Sequence, residues 1–430
     1  MQPTQPPDDV KQELIDELGP AAAGGVVGDV PPPGLADPEA TTPAELLTAT
    51  GDVGDGIPTT RPVRSPGFWR QTWRRFRRRP LSMLALLVVF LLGLVAVFSP
   101  AIAGSKPIVV SYQPLPVKDS STGEMVEQPR QLFFPAMGYF KREWENPVFF
   151  RDGFRKQYGR KLFEKDPDAW AIWPLVFQDP YRRMQEGEWP GRPANPRHAE
   201  GEPSAMNLFG TDSSGRDVFA QMVHGTRTAL LVGFVSMGIA ATIGIAIGAL
   251  AGYFGGWIDS LLSRFIEVVI CVPTLVLILA MIAIVEKVEI YHTMSVIGLT
   301  SWTGIARLTR GEFLRLREFD FVQAARVTGV STPGIIFRHI LPNAIAPVLV
   351  PITFGIAAAI LIESSLSYLG FGPPGVPSWG SLLSEGRRNV EDLWWLIVFP
   401  GAAIFLAVLC YNLIGEGLQE ATDPRLRERE

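Results

Sequence analysis

The chain has 430 residues, of which 47% are hydrophobic, and a formal net charge of −4 at pH 7. The hydrophobic residues are gathered into long runs nearly free of charge. This pattern excludes an ordinary soluble protein and predicts one that crosses a membrane several times. The small net charge points to no particular partner, because the charged residues are segregated along the chain.

The first 60 residues predict a disordered acidic tail. They contain no Phe, Trp or Tyr, are rich in Pro, Gly and Ala, and set several Asp and Glu against the single Lys11. Such a segment cannot bury enough apolar surface to offset its ordering entropy. Residues 61–79, RPVRSPGFWRQTWRRFRRR, then reverse the sign. Their place directly before an apolar run predicts a basic cytoplasmic juxtamembrane segment rather than the alternative, a nucleic-acid patch.

Six apolar segments are each close to the roughly 20 residues that a bilayer core requires, which predicts an all-α polytopic membrane protein. The predicted transmembrane helices are 80–103, 227–252, 261–285, 293–308, 343–366 and 393–416. The fourth is the weakest, because it is short and rich in Ser and Thr. Six crossings that start at the Arg cluster place both termini and the Arg-rich loop 309–342 in the cytoplasm.

Residues 104–206 then form an extracytoplasmic insert between the first and second spans. Its aromatic side chains can build a small core, while its frequent prolines predict an irregular fold with few long helices. The aromatic residues are Tyr112, Phe133, Phe134, Tyr139, Trp144, Phe149, Phe150, Trp170, Trp173, Phe177 and Trp189. The membrane core, 207–425, begins with GTDSSGRDVFAQMVHGTRTAL, which predicts a capped amphipathic helix along the outer surface.

Small residues recur at every fourth position of the second span. They are Ser236, Ala240, Gly244, Gly248 and Gly252. On a helix they form a flat stripe that lets a second helix approach closely, which matters in lipid because little hydrophobic drive brings helices together. The stripe predicts tight helix packing, either inside this subunit or against a partner.

Charged residues of the predicted spans lie near the span ends. Asp259, Arg264 and Glu267 are at the cytoplasmic end of the third span, and Glu363 is near the outer end of the fifth. A charge at mid-bilayer costs roughly 2.5–3.5 kcal/mol, so end positions favour paired or interfacial charges. The alternative is a proton or ion relay, for which Glu363 is the candidate pathway residue. Pro273 predicts a kink in the third span.

The sequence offers no motif for catalysis, so we expect neither a catalytic residue nor a bound metal or cofactor. GFGPPG at 370–375 matches a dinucleotide-binding pattern in form, but two prolines in an outer loop provide neither the strand nor the helix that it needs. There is no P-loop motif, and the four histidines are dispersed. Cys271 and Cys410 lie in apolar runs, which favours buried thiols over a disulfide.

Residues 318–343 predict a polar helical hairpin between the fourth and fifth spans. Phe319, Val322 and Arg326 share one face of its first helix, and Gly329 is expected to end that helix in the left-handed conformation. In the second helix, Ser331 is the expected cap and Pro333 lies in the first turn. We expect Pro342 to end the second helix and Asn343 to cap the fifth span.

The hairpin resembles the cytoplasmic "EAA" loop of ATP-binding-cassette (ABC) importer permeases, with A-A-x-x-x-G and a later L-P. ARVTGVSTPGIIFRHILPN is similar to the version in the second membrane subunit of dipeptide and oligopeptide permeases. AGYFGGWIDSLLSRFIEVVICVP, IESSLSYLGFG and PSWGSLLSEGR also resemble that family, over about 205–425. Two departures are Gln323, where the loop's name demands an acid, and His339, near a usual isoleucine.

The resemblance implies the type I importer permease fold and a subunit of an ATP-driven peptide importer in the bacterial inner membrane. Its implied partners are a homologous permease, two ATPases that hold ATP and Mg²⁺, and an extracytoplasmic solute-binding protein. The coupling helix, about 318–329, would dock into an ATPase. The implied contact residues are Phe319, Val322, Gln323, Ala324, Ala325, Arg326 and Gly329.

The enlarged outer segment resembles that of the microcin C and peptide importer branch. Two alternatives stay open at this point. One is an importer of nickel or another small solute with the same fold. The other is a secondary transporter that uses Glu267 or Glu363 for proton coupling, but such a protein has no ATPase for the hairpin to meet.

Overall fold

A computed structural model describes residues 68–113, 116–118, 125–141, 158–189 and 191–422. The predicted tail, residues 61–67 of the basic segment, and the aromatic residues Trp144, Phe149 and Phe150 lie outside the described residues. The helices in chain order are α1 (Phe68–Arg77), α2 (Pro80–Val97), α3 (Ser99–Ile102), α4 (Tyr158–Lys165), α5 (Val218–Phe254), α6 (Gly256–Cys271), α7 (Thr274–Ala283), α8 (Ile290–Leu316), α9 (Asp320–Val327), α10 (Leu341–Tyr368), α11 (Trp379–Arg388) and α12 (Trp395–Thr422).

Four helical segments of the described chain are long and apolar enough to cross a membrane. They are α2, α5, the continuous run Thr332–Leu369, and α12. The pair α6 and α7, bent by 81° at its break, makes a fifth if it is one span. The predicted span 293–308 falls inside α8, whose Ser, Thr and Arg residues keep it out of this set. The sixth span therefore stays a prediction.

The second span is longer than predicted, because the expected surface helix is the first part of α5. That segment does not lie along the outer surface. Val218, Met222 and Val223 are buried. The Trp379 indole donates to the Met222 carbonyl at 3.2 Å, and Nε2 of His224 bonds the Ala103 carbonyl at 2.9 Å. With α3 and α11 covering it and no proline to interrupt it, this segment is continuous with the rest of α5.

The kink predicted at Pro273 is present. Val272 is extended, Pro273 precedes α7, and the two helices meet at 81°. Proline has no N–H to continue the ladder of α6, and its ring clashes with the preceding turn. Few side chains of the pair are buried, Ile266, Ile278 and Ile282 among them, so most of its apolar surface faces away from this chain.

The insert contains two small antiparallel sheets that its sequence did not predict. Strands β1 (Val109–Tyr112), β4 (Gln131–Phe133) and β5 (Trp170–Ile172) form one sheet in the order β4–β1–β5, and β2 (Val117–Lys118) pairs with β3 (Met125–Val126). Val110 lies opposite both Phe133 and Ala171. Its side chain joins a core completed by Tyr112, Phe133, Leu162 and Ala169. Two of the predicted aromatic residues, Tyr112 and Phe133, lie in this core, whereas Phe134 and Trp170 are exposed.

Candidate functional site

The small-residue stripe of α5 packs against α8 of the same chain. Ser236 donates to the Met294 carbonyl at 2.9 Å, and all five stripe residues are buried. A Cβ atom at Gly244 would lie 2.8 Å from Ile305 Cβ, and one at Gly252 would lie 2.6 Å from Phe313 Cβ. Real Cβ atoms essentially never come so close, so the two backbones meet only because these positions are glycine. Of the two predicted uses, packing inside the subunit is the one observed.

The first helix of the hairpin, α9, ends as predicted at Gly329. This residue has φ +78°, and its N–H bonds the Arg326 carbonyl at 3.0 Å. The next N–H, that of Val330, bonds the Ala325 carbonyl at 3.0 Å. These two bonds and the left-handed glycine make a Schellman motif, which satisfies carbonyls at the helix end and fixes the direction of the following chain.

The side of α9 that faces its own chain consists of Val322 and Ala325. Both are buried in a cluster with Phe313 and Leu316 of α8 and with Ile340. This corrects the expectation that these two side chains touch a partner. They hold α9 against the end of α8, and Gln323 helps because its Nε2 donates to the Arg317 carbonyl at 3.2 Å.

The opposite side of α9 is exposed and carries several apolar side chains beside the exposed Asp320. Val327 is 89% exposed, Phe319 43% and Phe321 39%. Ala324 is exposed between them, and Phe337, from the second arm of the hairpin, is 67% exposed. We call these five side chains the hairpin surface. Only Phe319 and Ala324 of this surface were predicted contact residues, although the pattern Val322–Ala325 at i, i+3 could have shown which face is internal.

Arg326, another predicted contact residue, is exposed and lies over the Tyr253 ring, with its guanidinium carbon 5.7 Å from the ring centroid. The contact belongs to the cation–π class. It ties the side of α9 to the end of α5. The positively charged guanidinium of Arg326 therefore lies beside the hairpin surface.

The second arm of the hairpin differs from the expectation at both ends. Ser331 holds the N-cap position without a side-chain capping bond, and Pro342 does not stop the helix. The residues Ile335–Ile340 form a π-helical turn in which Leu341 N–H bonds the carbonyl of Ile336, five residues back. This wider turn accommodates a proline that an α-helix would exclude. Asn343 donates to the His339 carbonyl at 2.7 Å and caps nothing.

Two arginines, Arg310 in α8 and Arg317 directly after it, fasten the base of the hairpin. Arg317 donates through Nη1 to the Gly252 carbonyl at the end of α5 at 3.2 Å, where a cation also complements the helix dipole. Arg310 holds both carboxylate oxygens of Asp259 in α6, with Nη2 2.6 Å from Oδ2. The sequence predicted that Asp259 is paired or interfacial. It could not identify the partner, Arg310, which lies 51 residues further along the chain.

The other predicted span charges are also paired. Arg264 and Glu267 form an exposed ion pair of 2.8 Å within α6. Glu363 is buried in α10 and accepts hydrogen bonds of 2.8 Å from Ser367 and Ser378. Ser378 begins α11 and accepts from Gly380 N–H at 3.1 Å, so the carboxylate fastens the start of α11 to α10. A role for Glu363 in a pathway stays a prediction.

At the insert end, the turn before α5 is held by a buried carboxyl. Asp217 accepts from the Ala220 N–H and from the Asn207 amide, both at 2.7 Å. Burial raises the pKa of Asp217 from 3.8 to about 6, against the opposing effect of these two bonds. The folded turn therefore binds this proton more tightly than the unfolded chain does. The carboxyl makes folding less favourable as the pH rises from about 4 to about 6.

The profile of binding-protein-dependent transport system inner membrane components matches residues 244–428, which contain the last part of α5 and everything from α6 to α12. The profile of the N-terminal transmembrane domain of oligopeptide transport permease C matches residues 67–119, which contain α1, α2 and β1. Relatives of known name extend the match over most of the chain.

The peptidoglycan transport system permease protein YejE of Agrobacterium fabrum is 34% identical over 389 residues, covering 85% of this chain and 95% of that protein. The inner membrane ABC transporter permease protein YejE of Escherichia coli is 32% identical, covering 82% of this chain and 96% of that protein. The chain belongs to this permease family. The dipeptide transport system permease protein DppC of Alkalihalophilus pseudofirmus is 39% identical over a match that covers 54% of this chain and 77% of that protein.

The family assignment confirms the expected fold class, a helical multi-pass membrane permease of the ABC importer type. Since residues 207–430 make up only about half of the chain, the two longer alignments must also include part of the insert of the permease. At least that part of the insert is shared with these relatives.

Proposed function

We propose that this permease is one half of the translocation pathway of an ATP-driven importer for peptides or peptide-like solutes. The relatives carry names that refer to dipeptides or to peptidoglycan, whose cross-links are peptides, and the profile of oligopeptide permease C matches the first span. These names do not favour the alternative of a nickel or other small-solute importer. ATP hydrolysis would take place in separate partner subunits.

The observation that carries the proposal is the construction of α9. One face is fixed in the chain's own core through Val322 and Ala325, and its end is fixed by the Schellman motif at Gly329. Its other face is exposed and, apart from Asp320, largely apolar. A surface of this kind marks a site for a protein partner. An amphipathic helix held rigidly across the ends of α5 and α8 can enter a groove on a cytoplasmic ATPase and transmit its movement to both spans.

We assign the other two proposed partners, a second permease subunit and a solute-binding protein, to surfaces that this chain leaves exposed. The exposed faces of α6 and α7 suit a homologous permease subunit, which would complete the pathway. The insert, with its own core, suits contact with an extracytoplasmic solute-binding protein. We place the N-terminus in the cytoplasm of a bacterial cell, because the basic helix α1 precedes the first span. The C-terminus lies on the same side if the chain makes the six predicted crossings.

A proton-coupled transporter is the rival from another class. Its two candidate carboxylates, Glu267 and Glu363, are each engaged, the first by Arg264 and the second by serine hydroxyls that fasten α11. The hairpin surface has no use in a transporter that works alone. The proposal therefore assigns Glu363 a structural task.

Aspartate substitutions at two adjacent alanines separate the roles of the two faces of α9. Ala324→Asp puts a charge into the exposed hairpin surface, so insertion and thermal stability should stay normal while ATPase co-purification and peptide uptake fall roughly 30-fold, the effect of a hot-spot residue. Ala325→Asp buries an unpaired charge in the chain's own core and should lower the thermal stability itself. The measurements are uptake, co-purified ATPase and unfolding temperature of each variant.

Ala205→Asp, an exposed alanine at the insert end, is the matched control and should leave all three quantities unchanged. If Ala324→Asp binds the ATPase and transports peptide like the wild type, the hairpin surface is not the docking site. If the wild-type importer fails to take up any peptide in vesicles that contain its partners, the substrate class is wrong.

The proposed topology places the insert outside the cell. Ser204→Cys, in a background with Cys271 and Cys410 replaced by serine, should react with a membrane-impermeant maleimide added to intact cells, since residue 204 is exposed. Thr328→Cys, exposed on the hairpin, is the opposing control and should react only in broken membranes. The reverse labelling pattern would place the insert in the cytoplasm and disprove this orientation.

A further inference from the structure

A cavity of about 290 Å³ lies at the insert end of the permease. Its walls are the loop 370–377, the chain at the start of α5, the end of α10, the first two turns of α11, and Pro180 of the insert. This volume is near the lower limit for pockets that bind small molecules. The loop contains the GFGPPG motif, and its shape depends on Gly370 and Gly375, which have φ of +91° and +74°.

Three polar side chains on the cavity wall keep hydrogen-bonding capacity that the described residues do not use. Gln221 is only 3% exposed and donates through Nε2 to Asp212 at 3.0 Å, which leaves its Oε1 without a partner. Arg216 uses Nε for Asp212, at 2.6 Å, and leaves Nη1 without a partner in the described part of the chain. Both residues line the cavity.

Glu385 supplies the third free group. Its Oε1 accepts from the N–H and the hydroxyl of Ser213, whereas its Oε2 has only Arg216 Nη2 nearby, at 3.6 Å, too long for a hydrogen bond. Asp212 takes bonds from Ser214, Arg216 and Gln221 and pairs with the Arg216 guanidinium. The charge of Arg216 is therefore balanced by Asp212, and the Glu385 carboxylate is left as a net negative charge facing the cavity.

We infer that this cavity binds the free amino terminus of a short peptide. Two acceptors, Glu385 Oε2 and Gln221 Oε1, match the N–H donors of an ammonium group, and the net negative charge matches its positive charge. The first peptide carbonyl needs a donor beside it, which Arg216 Nη1 provides. A free carboxylate is a poor fit because Glu385 would repel it. This inference rests on the proposed function and gives the peptide a binding site on the permease itself.

The test uses the full permease, reconstituted in nanodiscs with its homologous partner subunit and without the solute-binding protein. The probe is trialanine with a fluorophore on its C-terminus, in free and N-acetylated forms, and its binding is followed by fluorescence anisotropy. The free peptide should bind at least tenfold more tightly than the acetylated one, because acetylation removes the ammonium and its charge-assisted hydrogen bonds.

Glu385→Gln should abolish this preference, since it removes the charge yet keeps an acceptor for Ser213. Glu391→Gln, an exposed neighbour outside the cavity, should retain the preference. Equal affinity of the two peptides for the wild type would overturn the inference, as would a preference that survives Glu385→Gln. If trialanine is imported by the complete transporter but does not bind here, the site is wrong and the proposed function stands. If no peptide is imported, the proposed function itself fails.

Discussion

Replacing Gly329 with alanine should lower peptide uptake roughly 5- to 30-fold while the protein still inserts and folds. The residue has φ +78°, and nothing lies within 4 Å of the position that a Cβ would take. The added methyl group therefore meets no neighbour, and the cost is the backbone conformation alone, about 1–2 kcal/mol for an L-residue. This free energy is too small to unfold the packed spans. It would, however, lower the population of the native hairpin conformation roughly 5- to 30-fold.

The same reasoning predicts an order among the substitutions. Gly329→Asn should be milder than alanine, because asparagine tolerates the left-handed region, and Gly329→Val should be the most harmful. Gly311→Ala is the matched control. Its Cβ also enters open space, but Gly311 lies inside α8 without a positive φ, so the change should stabilise the helix by up to about 1 kcal/mol. Uptake per ATP hydrolysed, measured in proteoliposomes, should follow this order. Equal coupling in all four variants would show that the Schellman motif has no part in transport.

Much of the hairpin could be predicted from sequence because its signals are local. A glycine followed by Val330 and a proline-containing turn predicts a helix end that needs only neighbouring residues to form, and the structure confirms it. The face of α9 that is buried depends instead on the space beside α8. The sequence pattern placed Phe319, Val322 and Arg326 on one face, but the packing against α8 buries Val322 with Ala325 and leaves Phe319 and Arg326 exposed.

Other differences have the same origin in distant contacts. Asp259 pairs with Arg310, and Glu363 accepts a hydrogen bond from Ser378, because separate helices pack together. The continuity of α5 depends on cover from Trp379, far along the chain. Two- to four-residue strands in a proline-rich insert carry too little alternation to be recognised. Hydropathy predicted the apolar runs that four or five segments of the described chain contain, since bilayer thickness fixes their length. Whether α8 also crosses the membrane stays a prediction.

The largest loss of folded protein should come from Gly248→Leu, at the middle of the contact between α5 and α8. A Cβ at this position would press on the Ala306 carbonyl and lie 2.7 Å from Thr309 Cβ. The obstacle is helix backbone, which cannot rotate away as a side chain can. Overpacking of a core costs about 1–3 kcal/mol, and we expect the upper end or more, because Gly244 and Gly252 hold α8 just as closely on either side.

Gly238→Leu provides the matched control on the same helix. Gly238 is exposed, and nothing lies within 4 Å of its Cβ position, so a leucine there should project away from α8 without strain. Size-exclusion chromatography and thermal unfolding of the detergent-purified protein should show Gly238→Leu like the wild type, Gly248→Ala intermediate and Gly248→Leu largely aggregated. Because α9 rests on Phe313 and Leu316 of α8, any folded Gly248→Leu that remains should also bind less ATPase. If Gly248→Leu proves as stable as Gly238→Leu, the stripe does not set the distance between α5 and α8, and its glycines need another explanation.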